Sequence, residues 1–428
     1  MSTLLSEPET QQLAALIEQS SNPQQVVDLV DKLMELSVVK GASDVHIEPF
    51  ETEAVARFRI DGILHDAVTL PRPAHDRILA RIKVLANLKI DEHRMPQDGR
   101  SSGRFGDRLV DFRVATLPQI FGEKIVLRVL PRDLKAGGLK DLGFSDQAVK
   151  PIEQHVRRPY GMILVCGPTG SGKSTTLYTL IQKLLDERGT SANVSTIEDP
   201  VEYAIPRVNQ IQVGIGTGMS FEMALRGLLR QDADVIMVGE IRDRETAEAA
   251  IEASLTGRLL LSSLHTRDAV GALIRLLEIG IEPYLVSSSI SLIVAQRLVR
   301  LICTGCVESY ALDEPTYKDL VERYHLDRII MAIEERVPQL APIPSPPRLF
   351  RGKGCDACMY TGYRGRTAIF EVLEASDAFR VLAGKRATAA EFRDQAIGEG
   401  MITMLQEGFY KALSGQTTLE EVLKATLE

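Results

Sequence analysis

Tryptophan is absent from this 428-residue chain, and all aromatic residues together make up only 5% of it. Few ring faces are therefore available to stack on unpaired bases, which argues against a channel for single-stranded nucleic acid. The charge balance points the same way. Fifty Lys and Arg against 58 Asp and Glu leave −8 with His neutral, the wrong sign for binding bulk polyanions, although a local basic groove stays possible. No run approaches the roughly 20 apolar residues of a membrane span. The most apolar segment, 290–302, is broken by Ser291, Gln296, Arg297 and Arg300. A secretory signal is also missing: Glu7 and Glu9 stand where a basic stretch belongs, and the apolar patch 13–17 is short. The expectation is a cytosolic protein that reaches a membrane only through partners. Cysteine is scarce, five residues, and four of them form two CxxC pairs. In a reducing compartment that pattern favours a metal over disulfides.

What is present is ordinary for a globular chain: 44% hydrophobic and 25% charged residues. The length predicts two to four domains. Residues 1–24 are polar, with at most one helix. Helical apolar spacing begins at Val26 and stops at Gly41. Residues 44–63 alternate apolar and polar as strands do, Ile78, Ile82 and Leu85 mark a helix with a basic outer face (Arg77, Arg81, Lys83), and strand pattern returns at 109–114 and 124–129. This predicts a small α+β domain over 25–132. Gly137 and Gly138 mark a linker over 133–144. From 161 to about 302, short apolar strands alternate with helical patterns, predicting an α/β domain built on a parallel sheet over 145–428. Within it, 337–348 carries five prolines and reads as extended or disordered, and the segment 371–428 reads as a helical tail.

The strongest chemical signal lies at 167–175. The apolar run 161–166 leads into Gly167, Pro168, Thr169, Gly170, Ser171, Gly172, Lys173, Ser174 and Thr175, and Leu177, Leu180, Ile181 and Leu184 then fall on one helix face. Strand, glycine-rich loop and helix in that order are the context that makes GxxxxGK[ST] a phosphate cradle. Glycines let backbone N–H groups turn onto the phosphates, and the helix N-terminus adds partial positive charge. Lys173 would reach the β- and γ-phosphates, and the Ser174 hydroxyl would ligate Mg²⁺. The ligand is therefore expected to be a nucleoside triphosphate.

Such a site also needs carboxylates near the metal and the attacking water. Two apolar strands end in them: 194–197 before Glu198 and Asp199, and 235–238 before Gly239 and Glu240. Ligands of open α/β sheets lie beyond the carboxyl ends of the strands, so function is favoured for Glu198 and Glu240, while Asp199 and Glu202 are as well explained by turn capping. A third strand, 259–264, ends at His265 and Thr266. A lone His after an apolar strand is usually a packing residue, but beside two acidic strand ends a γ-phosphate sensor is plausible. Farther on, Cys303 and Cys306 form one CxxC knuckle and Cys355 and Cys358 another, 48 residues intervening. Four thiolates in two such turns can surround Zn²⁺ tetrahedrally with Zn–S near 2.3 Å, and a long loop costs little.

In order along the chain, the phosphate loop 167–175, an acidic box 196–203, the segment 228–243 and a histidine box 263–266 resemble those of the ATPases that power type II secretion and type IV pilus assembly. Segments 42–49, 57–62 and 94–100 match the same family, and the resemblance covers about 25–428. It implies a PAS-like domain joined by a flexible linker to a RecA-like P-loop ATPase domain, which carries a tetracysteine zinc insert (300–370). It also implies a homo-hexamer that uses ATP, Mg²⁺ and Zn²⁺ and drives pilus or pseudopilus assembly at the inner membrane, through a polytopic platform protein and cytoplasmic assembly proteins. By the resemblance, Glu198 positions or activates water, Glu240 holds the Mg²⁺ network, His265 senses phosphate state, and Arg100 and Arg113 bring positive charge to the γ-phosphate. Ala233, Arg267 and Cys166 depart from the usual pattern without removing a catalytic group. Two competing readings are a RecA-like nucleic-acid translocase and a nucleotide-gated scaffold without turnover.

Overall fold

The computed structural model describes residues 4–131, 137–214, 218–385 and 387–427. The chain splits into two compact units, Met1–Lys135 and Ala136–Glu428. Residues 132–136, which include the start of the expected linker, lie outside the described residues.

The first unit is a six-stranded sheet with helices Glu7–Glu18, Pro23–Val39 and Arg72–Leu85. Its strands are β1 (Asp44–Pro49), β2 (Glu53–Ile60), β3 (Ile63–Pro71), β4 (Gln97–Phe105), β5 (Arg108–Gln119) and β6 (Gly122–Pro131), in the order β3-β2-β1-β6-β5-β4. Every pairing is antiparallel. Helix Pro23–Val39 starts where Pro23 needs no N–H partner and the Asn22 side chain accepts from Gln24 N; it buries Val26, Val30 and Leu33. Strand β2 buries alternate residues, as its pattern predicts. Strand β4 is invisible in the sequence, because Gly99, Ser101, Ser102 and Gly103 supply no apolar alternation. Pairing with β5, from Gln97 opposite Thr116 to Phe105 opposite Arg108, makes it a strand. Lys83 corrects the expected basic face: it is fully buried, and its Nζ donates to Glu123 Oε1 at 2.7 Å and to Glu92 O at 2.6 Å.

The second unit is built on β7 (Gly161–Cys166), β8 (Val194–Glu198), β9 (Asn209–Gln212), β10 (Val235–Val238), β11 (Leu259–Leu264), β12 (Ile290–Ile302) and β15 (Tyr363–Glu374), in the order β15-β12-β7-β11-β10-β8-β9. All pairings are parallel except that of β12 with β15. Both faces are covered, so β7, β8, β10 and β11 read as unbroken apolar or small runs and are buried throughout. Met162 and Leu164 pack into one layer with helices Phe221–Leu228, Arg244–Leu255 and Ala269–Glu278. Ile163 and Val165 face the other, with helices Asp146–Val156 and Lys173–Arg188.

A two-stranded ribbon, β13 (Val307–Ala311) with β14 (Arg348–Gly352), projects from the end of β12. Between its strands lie helices Glu314–Tyr324, capped by Asp313, and Leu326–Arg336. They pack Leu320, Leu326, Ile330 and Ile333 against Phe409, Ala412 and Val422 of the tail. The proline-rich stretch contributes one short turn, Pro338–Leu340. Strand β15 continues to Glu374, so the first residues of the expected helical tail are strand. Among the described residues, no helix is long and apolar enough to cross a membrane.

Candidate active site

Strands β7, β11, β10 and β8 run parallel in register, with Cys166 beside Leu264, Val238 beside Ser262 and Val238 also beside Ile197. Their carboxyl ends therefore open on one edge, the edge where ligands of such sheets sit. The loop 167–172 leaves β7 there and enters helix Lys173–Arg188 through Gly172, whose φ of 89° suits glycine. Gly167 permits a close approach: a Cβ on it would lie 2.5 Å from Gln296 O and from Ser171 Oγ. Ser174 and Thr175 are exposed on the first helical turn, where free N–H groups favour an anion.

Lys173 is 9% exposed, and its Nζ donates to Gly167 O at 2.9 Å and Pro168 O at 3.0 Å. The lysine thus folds back on its own loop and shapes it. Burial pushes its pKa down, while the Glu240 carboxylate draws it back up. Gln296, on β12, braces the loop from beneath. It donates to Ser171 O at 2.7 Å and accepts from Thr176 Oγ1 at 2.8 Å, fully buried. Its signal in the sequence is an amide inside the most apolar run, where a polar group must find partners.

Glu198 ends β8 and is 4% exposed. Its Oε1 accepts from Thr196 Oγ1 at 2.6 Å and Gln210 Nε2 at 3.1 Å, and its Oε2 accepts a short hydrogen bond from Tyr178 OH. Burial, then the Glu198 charge, pushes the Tyr178 phenol upward, and Tyr203 is pushed to about 12 by the same two causes. Glu240 follows β10, half-buried, and accepts from Arg242 while His265 Nε2 lies 3.1 Å from its Oε2. Arg242 also lies 3.8 Å from Asp199. Asp199, Arg242, Glu240 and His265 so form one connected polar chain along the edge. Tyr178 and Gln210 have no motif of their own, although Tyr178 lies one helical turn after Ser174, on the same face, and Arg242 falls inside the segment 228–243.

Lys173, Ser174, Glu198, Glu240 and His265 therefore all lie on or beside the carboxyl edge of one sheet. Arg100 and Arg113 lie in the first unit, directly opposite one another on β4 and β5. Cys166 is buried under the loop, its Sγ donating to Asp268 O at 3.6 Å, and burial lifts its pKa to about 12, far from a reactive thiol.

The four remaining cysteines come together. All four Sγ atoms lie within 4.8 Å of one another. Cys303 with Cys355, Cys306 with Cys358, and Cys355 with Cys358 are each 3.8 Å apart. A tetrahedron with 2.3 Å metal–sulfur bonds has edges of about 3.8 Å. Two pairings close the long gap. Register of β12 with β15 puts Ile302 opposite Tyr363, and Val307 of β13 faces Gly352 of β14. Backbone N–H groups of Gly354, Cys355 and Gly362 donate to Cys306 and Cys358 sulfurs at 3.2–3.3 Å. Burial raises the Cys358 thiol, but the N–H groups of Cys355 and Gly362, with the Cys306 and Cys355 sulfurs, bring it to about 7, whereas burial raises Cys303 and pushes Cys306 to about 12.

The family model described as Type II/IV secretion system protein matches residues 19–424. The chain belongs to this family. It is a family of secretion and pilus ATPases. The chain is 42% identical to type II secretion system protein E of Pseudomonas aeruginosa, over 98% of this chain and 78% of that protein. It is also 42% identical to the type IV pilus assembly ATPase PilB of Thermus thermophilus, over 93% of this chain and 43% of that longer protein. Among solved structures, the pilus retraction motor PilT with bound ADP superposes with a TM-score of 0.61 at 25% identity, covering 93% of this chain and 96% of PilT. The family likeness thus spans both units, and the α/β fold with its parallel sheet is that of an ATPase.

Proposed function

We propose that this chain is the ATP-hydrolysing motor of a pilus or pseudopilus assembly machine. The observation that carries the reading is the gathering of Lys173, Ser174, Glu198, Glu240 and His265 at the carboxyl edge of one sheet. The phosphates lie on the N–H groups of the loop and helix start, with Lys173 turning from its loop carbonyls toward the β- and γ-oxygens. Water attacks the γ-phosphorus, the bond to the β–γ bridging oxygen breaks, and the water proton leaves toward Glu198, giving ADP and phosphate. Ser174 and Glu240 would hold the divalent ion, which would supply neutralising positive charge at the phosphates. His265, on Glu240, reports whether the γ-phosphate is present. Arg100 and Arg113 are assigned the arginine-finger role, fixed cations where charge builds in the transition state. The four cysteines fit Zn²⁺ by their spacing and their N–H donors and would hold it in a structural role.

The wider reading follows the family. The first unit is taken as PAS-like and the second as RecA-like. The working form is a homo-hexamer in the cytoplasm, bound to a polytopic inner-membrane platform protein and to cytoplasmic assembly proteins. Steady-state hydrolysis by purified protein tests this reading. Wild-type protein should release phosphate from ATP, and Glu240→Gln should abolish release while still binding ATP. A wild-type protein that binds ATP without turnover would favour a nucleotide-gated scaffold. Strong stimulation by DNA would favour a nucleic-acid translocase.

A further inference from the structure

A carboxylate has about four acceptor sites, two on each oxygen. Among the described residues, three donors reach Glu198. Thr196 and Gln210 both donate to Oε1, filling it, and Tyr178 takes one site on Oε2. One acceptor site is left, on Oε2. Tyr178 is itself fixed. It is 2% exposed, its ring meets Tyr203 edge-on with centroids 4.6 Å apart, and Glu202 N donates to its hydroxyl at 3.4 Å. Gln210 is fixed as well, accepting from Ile205 N at 2.7 Å and donating to Tyr203 O at 3.1 Å. These contacts orient its amide so that the NH₂ faces Glu198.

The geometry points to Tyr178 as the positioning residue of Glu198: its hydroxyl holds Oε2 so that the single open acceptor site is presented to the attacking water. The inference rests on the water-activating role proposed above for Glu198. It also explains a link. Tyr178 and Ser174 are four residues apart on one helix, so the helix whose first turn meets the phosphates carries, one turn on, the residue that aims the base. A rigid helix thereby couples phosphate binding to base orientation over about 6 Å of rise. The proton leaving water goes to Oε2, and Tyr178 keeps its own proton throughout, since its phenol is held well above its ordinary range.

The test compares Glu198→Gln and Tyr178→Phe in the full chain, measuring kcat, KM for ATP and the pH dependence of kcat. Phe keeps the ring against Tyr203 and removes only the donor. If Tyr178 aims the base, kcat falls about tenfold while KM stays within about twofold. The acid limb of kcat also moves up, because the carboxylate loses a donor that favours its charged form. The titratable groups around Glu198 are Tyr178 from the helix, Tyr203, Asp199 and Glu202 from the following loop, and Glu240 at the neighbouring strand end; only Tyr178 is altered. A residue that merely packs would leave the limb in place. If Glu198→Gln abolishes turnover but Tyr178→Phe keeps wild-type kcat and limb, or raises only KM, this inference fails and the hydrolysis reading stands. If Glu198→Gln keeps wild-type turnover, the role given to Glu198 falls and this inference with it. Should Tyr178→Phe fail to fold, 3-fluorotyrosine at 178 keeps ring and hydroxyl with a more acidic proton. The acid limb then moves down, and an unmoved limb overturns the proposal.

Discussion

His265 and Glu240 are 25 residues apart in sequence, yet His265 Nε2 lies 3.1 Å from Glu240 Oε2. The contact follows from the sheet. Strands β10 and β11 are parallel neighbours with Val238 beside Ser262, so the residues that leave their carboxyl ends must meet. A histidine that touches the carboxylate proposed to hold the divalent ion would be placed to report on the phosphate beside that ion.

Replacing His265 by Ala should therefore impair turnover more than binding. We expect kcat to fall roughly tenfold to a hundredfold, with ATP affinity changed little. Phosphate-release kinetics together with calorimetric binding of a non-hydrolysable ATP analogue check this. Equal loss in both would mean that His265 shapes the pocket and not the reaction.

Gln296 should act on binding instead. Its removal leaves Ser171 O and Thr176 Oγ1 without their partner beneath the phosphate loop. An unsatisfied buried group costs about 1–3 kcal/mol, and here the cost falls on the loop that receives the phosphates. Gln296→Ala is expected to weaken ATP binding about tenfold or more and to lower the melting temperature by a few degrees. Fluorescent-nucleotide titration and thermal unfolding measure the two effects.

The cysteine cluster predicts about one zinc per chain in protein never exposed to chelator. Cys306→Ser should lose most of that metal and several degrees of thermal stability, because a bound ion would tie the end of β12 to the β13–β14 ribbon. Elemental analysis alongside melting curves tests it. A metal-free protein of unchanged stability would reduce the cluster to four reduced thiols.

Lys411 gives a prediction in pH. It is 2% exposed and donates to Gly143 O at 2.7 Å, to Thr367 Oγ1 at 3.2 Å and to Ala368 O, tying the tail helix to the start of the second unit. Burial pulls its pKa from 10.5 to about 8, with the Glu407 charge opposing. The folded-state value is the lower one, so between about pH 8 and 10.5 the unfolded chain holds a proton that the folded chain lacks. Stability gained from this group then rises with pH across that window. Denaturant titrations at pH 8 and pH 10 should show wild type gaining on Lys411→Met. A constant gap would mean that Lys411 stays charged when folded.

Local strings made some features legible. The loop 167–175 declares itself because its glycines, its lysine and its flanks are contiguous, although Gln296, far along the chain, braces it. Glu198 and Glu240 are legible for a similar reason, since a run of apolar residues that halts at a carboxylate marks a strand end. Strand β4 is not, because what makes it is a partner far away in sequence. Lys83 shows the same limit in one side chain: helical spacing sends it outward, and Glu123, 40 residues on, draws it in.

By itself, the sequence determined that this is an α/β protein with a phosphate loop, acidic strand ends and two CxxC knuckles, because each of these resides in a few adjacent residues. Only the tertiary structure decided which side chains serve them. Register between β12 and β15 and between β13 and β14 closes the 48-residue gap and gathers four sulfurs. The parallel order β7-β11-β10-β8 lines up the strand ends. The packing of helix Lys173–Arg188 against the sheet brings Tyr178 to Glu198. Such contacts depend on strand order and register, which sum many weak long-range preferences and are written in no single segment of the chain.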